Sequence, residues 1–166
     1  PQDLLEALRS LDDVCHLIVV GAGPQSAAFQ SQVRAMALDH RVHVVPQLRD
    51  PDSLVRLSDV VVFSGGREPL PVFAIAAIAA AKPLAGFDPP AGEIAACVAE
   101  ENAALIARPS DMPAMIASLT RLTREPDLRQ NIGRANRTKA EAMRGEATMN
   151  AAYRRLYSSA LGAENI

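Results

Sequence analysis

Short apolar runs alternate with longer stretches of helical periodicity along almost the whole chain. His16 to Val20, Val42 to Val45, Val60 to Phe63, Leu84 to Phe87 and Ala104 to Ala107 are compact runs of aliphatic and aromatic residues. Runs of this length, closed by Gly, Pro or Asp, predict strands covered on both faces. Between them, apolar residues recur at three- and four-residue spacing. Leu4, Leu5 and Leu8 predict a helix that begins almost at residue 1, and Phe29, Val33 and Met36 predict one from Pro24 to about Leu38. Asp50-Pro51-Asp52-Ser53 caps a short helix bearing Leu54, Val55 and Leu57. Pro71 to Ala80 is aliphatic almost all round, so that helix is expected to be buried. A small helix runs from Gly92-Glu93 to about Ala99, and Glu100-Glu101-Asn102 reads as a turn.

The last third is helical throughout. Ser110 or Asp111 caps a helix carrying Met112, Met115, Leu119 and Leu122. Pro126 starts another with Leu128, Ile132 and Ala135 as its stripe, Gly145 ends it, and a final helix from about Ala147 aligns Met149, Tyr153 and Leu156. The tail after Leu161 is expected to fray.

Strands alternating with helices imply an α/β fold: a Rossmann-like parallel sheet with helices on both faces and right-handed crossovers. The opening helix has no strand before it, which suggests that the sheet lacks its first strand. In such sheets ligands bind beyond the carboxyl ends of the strands, so the loops 21–24, 46–50 and 64–70 are expected along one edge. The strand at 60–63 runs through Ser64-Gly65-Gly66-Arg67-Glu68 into the apolar helix, making this stretch the first place to seek a ligand.

Length and composition narrow the function classes. A chain of 166 residues suits a single domain spanning 1–166. The 17 basic and 19 acidic residues give a net charge of −2, which offers no polyanion-binding signal, so nucleic acid is not expected as a partner. No uninterrupted apolar run is long enough to span a bilayer. The first residues include Asp3 and Glu6 where a secretory leader would be basic, so a cytoplasmic location is the default, with peripheral membrane contact left open. Cys15 and Cys97 are isolated in apolar settings and read as packing residues. His16, His40 and His43 lack the spacing of a metal site or a triad, so no metal is expected. Ser64 has no evident base, and the basic residues from Arg121 to Arg155 read as a solvated helix face.

Several motifs stand in order along the chain. A strand ends in Gly21-Ala22-Gly23-Pro24 and a helix follows, then the Val-x-Val strand Val42-His43-Val44. Asp59-Val60-Val61-Val62 leads to Glu68, and Lys82-Pro83 and Gly92-x-Ile94 come after it. Arg129 and Gly133 lie in a segment like Leu-Arg-x-x-Leu-Gly, and Tyr153-x3-Tyr157 lies in the last helix. In this order and spacing they resemble the nucleotide-sugar-binding, carboxy-terminal half of a GT-B glycosyltransferase of the retaining family 4 type (group 1), with Glu68 as the first residue of its Glu-x7-Glu motif. The similarity spans essentially the whole chain.

The resemblance implies that Glu68 binds the donor sugar near the reacting centre. It also implies that Gly21, Gly23, Pro24, Gln47, Leu48, Gly65, Gly66, Arg67, Leu70, Pro71, Val72 and position 76 surround the nucleotide-sugar. That ligand is a substrate, and no separate cofactor is implied. Helix amino termini suit a diphosphate, because their free N–H groups and dipole favour anions. The second motif glutamate, the ribose ligand, falls on Ala76, which cannot accept a hydrogen bond. Pro69-Leu70-Pro71 replaces the family's Gly-Phe-Gly and removes two backbone donors. The family's phosphate-binding Arg and Lys lie upstream of the first helix. The chain is therefore expected to be part of a longer two-domain protein, inactive without its amino-terminal acceptor-binding domain. The departures favour an alternative, a degenerate GT-B-like binding or assembly module. A flavodoxin-like doubly wound domain is a third reading.

Overall fold

The computed structural model describes residues 2–46, 50–64, 72–88, 93–144 and 146–160. In chain order the elements are α1 (Gln2–Arg9), β1 (Leu17–Val20), α2 (Ser26–Ala35), β2 (Val42–Val45), α3 (Pro51–Leu57), β3 (Val61–Phe63) and α4 (Val72–Ala79). They continue with β4 (Leu84–Phe87), α5 (Glu93–Cys97), α6 (Glu100–Ala103), β5 (Ile106–Ala107), α7 (Met112–Arg124), α8 (Pro126–Arg144) and α9 (Glu146–Ala160). All strand pairs are parallel. The architecture is a Rossmann-like α/β arrangement in which parallel strands alternate with helices.

The single sheet expected from sequence is divided. Among the described strands, β1 pairs only with β2, and β3-β4-β5 form a second sheet. Leu17 is level with Val42 in the first, while Val61 lies beside Leu84 and Gly86 beside Ile106 in the second. No described strand bonds to the remaining edges of β1 and β3.

Helices cover both faces of the three-stranded sheet. On one face Ala85, Phe87, Leu105 and Ala107 pack with Met115, Leu119 and Leu122 of α7, Ile132 of α8 and Ala7 of α1. On the other, Phe63 and Leu84 pack with Ala74, Ala77 and Ile78 of α4 and with Ile94 and Val98. The smaller sheet has one covered face, where Leu5 and Leu8 of α1 join Phe29, Val33, Leu38 and Val42. Successive residues of α1 thus enter both cores. The strand 16–20 was expected to be buried on both faces, but β1 alternates, and Ile18 and Val20 are about half exposed. The run is apolar on both faces, yet only the face toward α1 and α2 has a covering layer.

Several boundaries shift for local reasons. Helix α2 stops short of Leu38 because Ala37 turns left-handed (φ 55°), its N–H reaching Arg34 O and that of Leu38 reaching Val33 O. This is a Schellman closure with alanine in the position usually held by glycine. Helix α4 ends in the same way at Ala81 (φ 56°), through Ala81 N–H to Ile78 O and Lys82 N–H to Ala77 O. The expected turn at 100–102 is a one-turn helix, α6, and the last strand is shortened to two residues because Leu105 N–H still bonds to Asn102 O. Of the two candidate caps for α7, Asp111 is the one that accepts the Ala114 N–H, at 3.1 Å.

Two glycines and two asparagines lock the larger half. Gly86 has φ 137°, and a Cβ there would lie 1.9 Å from Phe63 O on the neighbouring strand. A Cβ on Gly133 of α8 would lie 1.9 Å from the carbonyl oxygen of Ala81, the residue that closes α4. Buried Asn102 behaves like one residue of an extra strand, accepting from Leu84 N–H at 2.9 Å and donating to Leu84 O at 2.7 Å. Asn136, also buried, donates to Asn102 Oδ1 and to Lys82 O and accepts from Ala99 N–H. Arg129 closes the end of α7 by donating to Leu122 O and Thr123 O.

Polar contacts tie α1 to its surroundings. The Arg41 guanidinium, almost fully buried, donates to the carbonyls of Leu11, Asp12 and Cys15 and pairs with Asp13, fixing the segment that enters β1. Arg124 at the end of α7 makes a two-pronged pair with Asp12 at 2.8 and 2.9 Å. That hydrogen-bonded guanidinium lowers the Asp12 pKa and has its own pKa raised.

Candidate functional site

The parallel strands present their carboxyl ends to a common edge within each sheet. On the smaller sheet this edge holds the turn after β1. Gly21 adopts φ 142°, a conformation open to glycine, while its N–H still bonds to Val45 O at 2.9 Å. The chain therefore leaves the ladder without losing its last hydrogen bond. Gly23 N–H then donates to Ser26 Oγ at 2.9 Å, and Ser26 N–H returns a bond of 2.9 Å to Gly23 O.

Nothing lies within 4 Å of a Cβ built on either glycine, so the backbone of this turn is open to an approaching group. Pro24 is exposed, and α2 begins at Ser26, two residues later than expected. Gln25, the N-cap, makes no side-chain capping bond. The start of α2 is thus left without the side-chain oxygen that usually occupies such a site.

The neighbouring strand β2 leads to Pro46, and the predicted ligand positions Gln47 and Leu48 fall outside the described residues. Beyond them Asp50 caps α3, its carboxylate accepting from Asp52 N–H at 3.1 Å and Ser53 N–H at 3.3 Å. On the larger sheet, β3 ends at buried Phe63 and half-buried Ser64. Glu68, with Gly65, Gly66, Arg67, Leu70 and Pro71, lies outside the described residues. Val72 opens α4, and Ala76 is half-buried on it, between core-facing Ala74 and Ala77. At Ala76 the helix presents a methyl group and no hydrogen-bonding side chain.

One acidic group at this edge did not figure among the sequence candidates. Asp88, just past β4, accepts the N–H groups of Ile94 and Ala95 and so caps α5. Beside it, Glu93 Oε2 is buried with no hydrogen-bond partner among the described residues. Such an oxygen is costly to leave unmatched. In the sequence Glu93 passes for an ordinary first-turn helix residue; its burial comes from tertiary packing. Among the described residues no group of three or more His, Cys, Asp or Glu side chains is placed to hold a metal ion, and no helix is long and apolar enough to cross a membrane.

Comparison with known proteins identifies this arrangement. The fold overlays that of Anabaena Alr3699/HepE, solved in complex with UDP, at a TM-score of 0.83 and 17% identity, covering 95% of this chain and 44% of that one. Sucrose-phosphate synthase from Thermosynechococcus elongatus overlays at 0.76 with 23% identity, covering 95% and 42% of the respective chains. The C-terminal domain of a group 1 family glycosyl transferase (LpcC) from Francisella tularensis overlays at 0.71 with 20% identity, covering 85% of this chain and 77% of that domain. The chain spans less than half the length of the first two. No curated protein sequence matches it. The family model described as glycosyl transferases group 1 matches residues 1–139, most of the chain, and the protein belongs to that family.

Proposed function

We propose that the chain is the donor-binding, carboxy-terminal domain of a retaining, family 4-like glycosyltransferase, which moves a sugar from a nucleotide-sugar to an acceptor. The observation that carries this reading is the group 1 family match, joined to the overlay on a protein solved with UDP and with UDP-glucose. The open Gly21–Gly23 turn, at the amino end of a helix without a side-chain cap, suits a diphosphate. In this reading Glu68 meets the donor sugar, while Gln47, Leu48, Gly65, Gly66, Arg67, Leu70, Pro71 and Val72 complete the surroundings of the nucleotide. The nucleotide-sugar is the substrate, and no separate cofactor or metal takes part. The protein acts in the cytoplasm.

The chain is in this reading one part of a longer two-domain protein. The division of the sheet between β1 and β3 supports a missing strand of the same domain, and coverage of under half of the HepE chain supports a second domain. Reaction in a cleft between two such halves leaves the isolated chain inactive. Calorimetric titration of the full-length protein with UDP-, GDP- and ADP-sugars tests the proposal. One of them is expected to bind, with Glu68→Ala weakening it by about 1.5–3 kcal/mol, the range for a hydrogen bond to a charged group. Absence of binding to all three classes overturns the donor-binding role.

Ala76 favours a second reading, a degenerate module that keeps the fold for binding or assembly. A methyl group stands where the family places a ribose-binding carboxylate. Turnover of a nucleotide-sugar by the full-length protein excludes this alternative.

A further inference from the structure

Strand register brings together two histidines that lie far apart in the sequence. Ile18 is level with His43 in the β1–β2 ladder, so His16, two residues earlier, projects from the same face diagonally across from it. Both side chains are exposed, on the sheet face opposite the one packed by α1 and α2. The rings stack with centroids 5.2 Å apart and an interplanar angle of 22°. His16 Nδ1 lies 3.0 Å from His43 Nε2.

The backbones that carry the rings are held firmly. Leu17 N–H donates to Arg41 O at 2.9 Å, and the buried Arg41 guanidinium binds Cys15 O, also at 2.9 Å. Arg41 therefore fixes the residues on either side of His16 and leaves both imidazoles on the open face.

We propose that His16 and His43 form a two-histidine site for a divalent transition-metal ion. Imidazole nitrogens bind such ions at about 2.0–2.1 Å, so two of them at roughly 90–110° on one ion stand roughly 2.8–3.4 Å apart. The observed 3.0 Å falls within that bite. Both rings are exposed, so rotation about their side-chain torsions can turn the two lone pairs from each other toward a common point. To bind an ion, each ring carries its proton on its other nitrogen, a tautomer exchange through solvent that leaves the proton count of the pair unchanged. With no third protein ligand gathered among the described residues, water fills the rest of the shell. Imidazole and water select Cu²⁺ over Ni²⁺ and Zn²⁺, and all three over Mg²⁺. A bound ion staples β1 to β2 across the uncovered face. The site lies toward the amino ends of these strands, whereas the Gly21 turn lies at the carboxyl ends, and it does not depend on the proposed donor binding.

Calorimetric titration of the protein with CuCl₂, NiCl₂, ZnCl₂ and MgCl₂ tests the site in four forms: unaltered, His16→Ala, His43→Ala and Cys15→Ser. The expected result is one Cu²⁺ per chain, bound tightest, with each histidine variant weakening it about tenfold or more and Cys15→Ser leaving it unchanged. Copper is also expected to raise the melting temperature of the unaltered protein and to leave that of His16→Ala unmoved. Equal binding by the unaltered protein and both histidine variants overturns the proposal. Loss of binding in Cys15→Ser with both histidines intact overturns it as well, by assigning the ion to the thiol.

Discussion

The two sheets are made from the same kind of strand and end up in opposite circumstances. Leu84 to Phe87 of β4 is buried at every position, between α7 and α8 on one side and α4 and α5 on the other. Leu17 to Val20 of β1 is just as aliphatic, yet alternate residues face solvent. What separates them is the supply of covering layers. The half around β4 is also locked by backbone approaches that no side chain fits, at Gly86 and Gly133, and by the Asn102–Asn136 pair. In the half around β1 the glycines stand in open space, the histidine contact is on the surface, and a buried polar contact is made by Arg41, which holds the segment entering β1. Close backbone approaches are concentrated in the half around β4, and open glycines at the turn after β1.

The sharpest way to break this contrast is to add one methyl group to each half. Gly86→Ala puts a Cβ onto Phe63 O and forces an L-residue into φ 137°. It is expected to cost about 3 kcal/mol or more, from strain and overpacking together. Gly23→Ala meets no atom within 4 Å and is expected to stay within about 0.5 kcal/mol. Urea denaturation midpoints of the two variants decide the matter, and equal losses would mean that the halves are equally rigid.

A smaller effect is expected from the polar network. Asn136→Ala strips partners from Asn102 Oδ1, Ala99 N–H and Lys82 O, all close to buried elements. A loss of about 2–3 kcal/mol follows from leaving such groups unmatched. Val20→Thr, on the exposed face of β1, should change stability by no more than about 0.5 kcal/mol in the same denaturation assay. A large loss there would show that something covers that face in solution.

The smallest effect concerns the joint between the halves, where Asp12 after α1 meets Arg124 of α7. Its folded-state pKa lies below the ordinary carboxylate value, because the Arg124 hydrogen bond favours the ionised form. The contribution is therefore fully present above the unfolded pKa of about 3.9 and is lost as pH falls through the lowered folded value. Both side chains are well exposed, so salt screens the pair and the effect is modest. Melting temperatures measured from neutral pH down to about pH 2 should fall less steeply on the acid side for Asp12→Asn than for the unaltered protein. Parallel curves would remove the pair from the account.

Periodicity and punctuation in the sequence were enough to place almost every element. Apolar runs closed by Gly, Pro or Asp mark strands, and three- and four-residue spacing marks helices, because backbone hydrogen bonding allows only these periods. The same signals, with their order, carried the likeness to group 1 glycosyl transferases that the family match established. Among the elements placed, most differences lie at ends, while the turn expected at 100–102 is the one-turn helix α6, the sheet is divided and β1 is covered on one face only. Helix α2 stops early because Ala37 closes it left-handed, as Ala81 closes α4, which their residue type does not announce. At the candidate site the glycine turn was legible because φ 142° calls for glycine, whereas the buried Oε2 of half-buried Glu93 was not, since its environment is assembled from distant segments.

What the sequence determined by itself is local: which stretches are strands or helices, where the glycine turn falls, and that Ala76 offers no acceptor. Only the tertiary structure decided the rest. It divided the sheet between β1 and β3, left one face of β1 open, aimed the Ala81 carbonyl at Gly133 and set His16 beside His43. Each depends on pairing register or on the presence of a covering layer. Both are properties of segments brought together from afar, and the pattern within any one segment is the same whether or not its partner arrives.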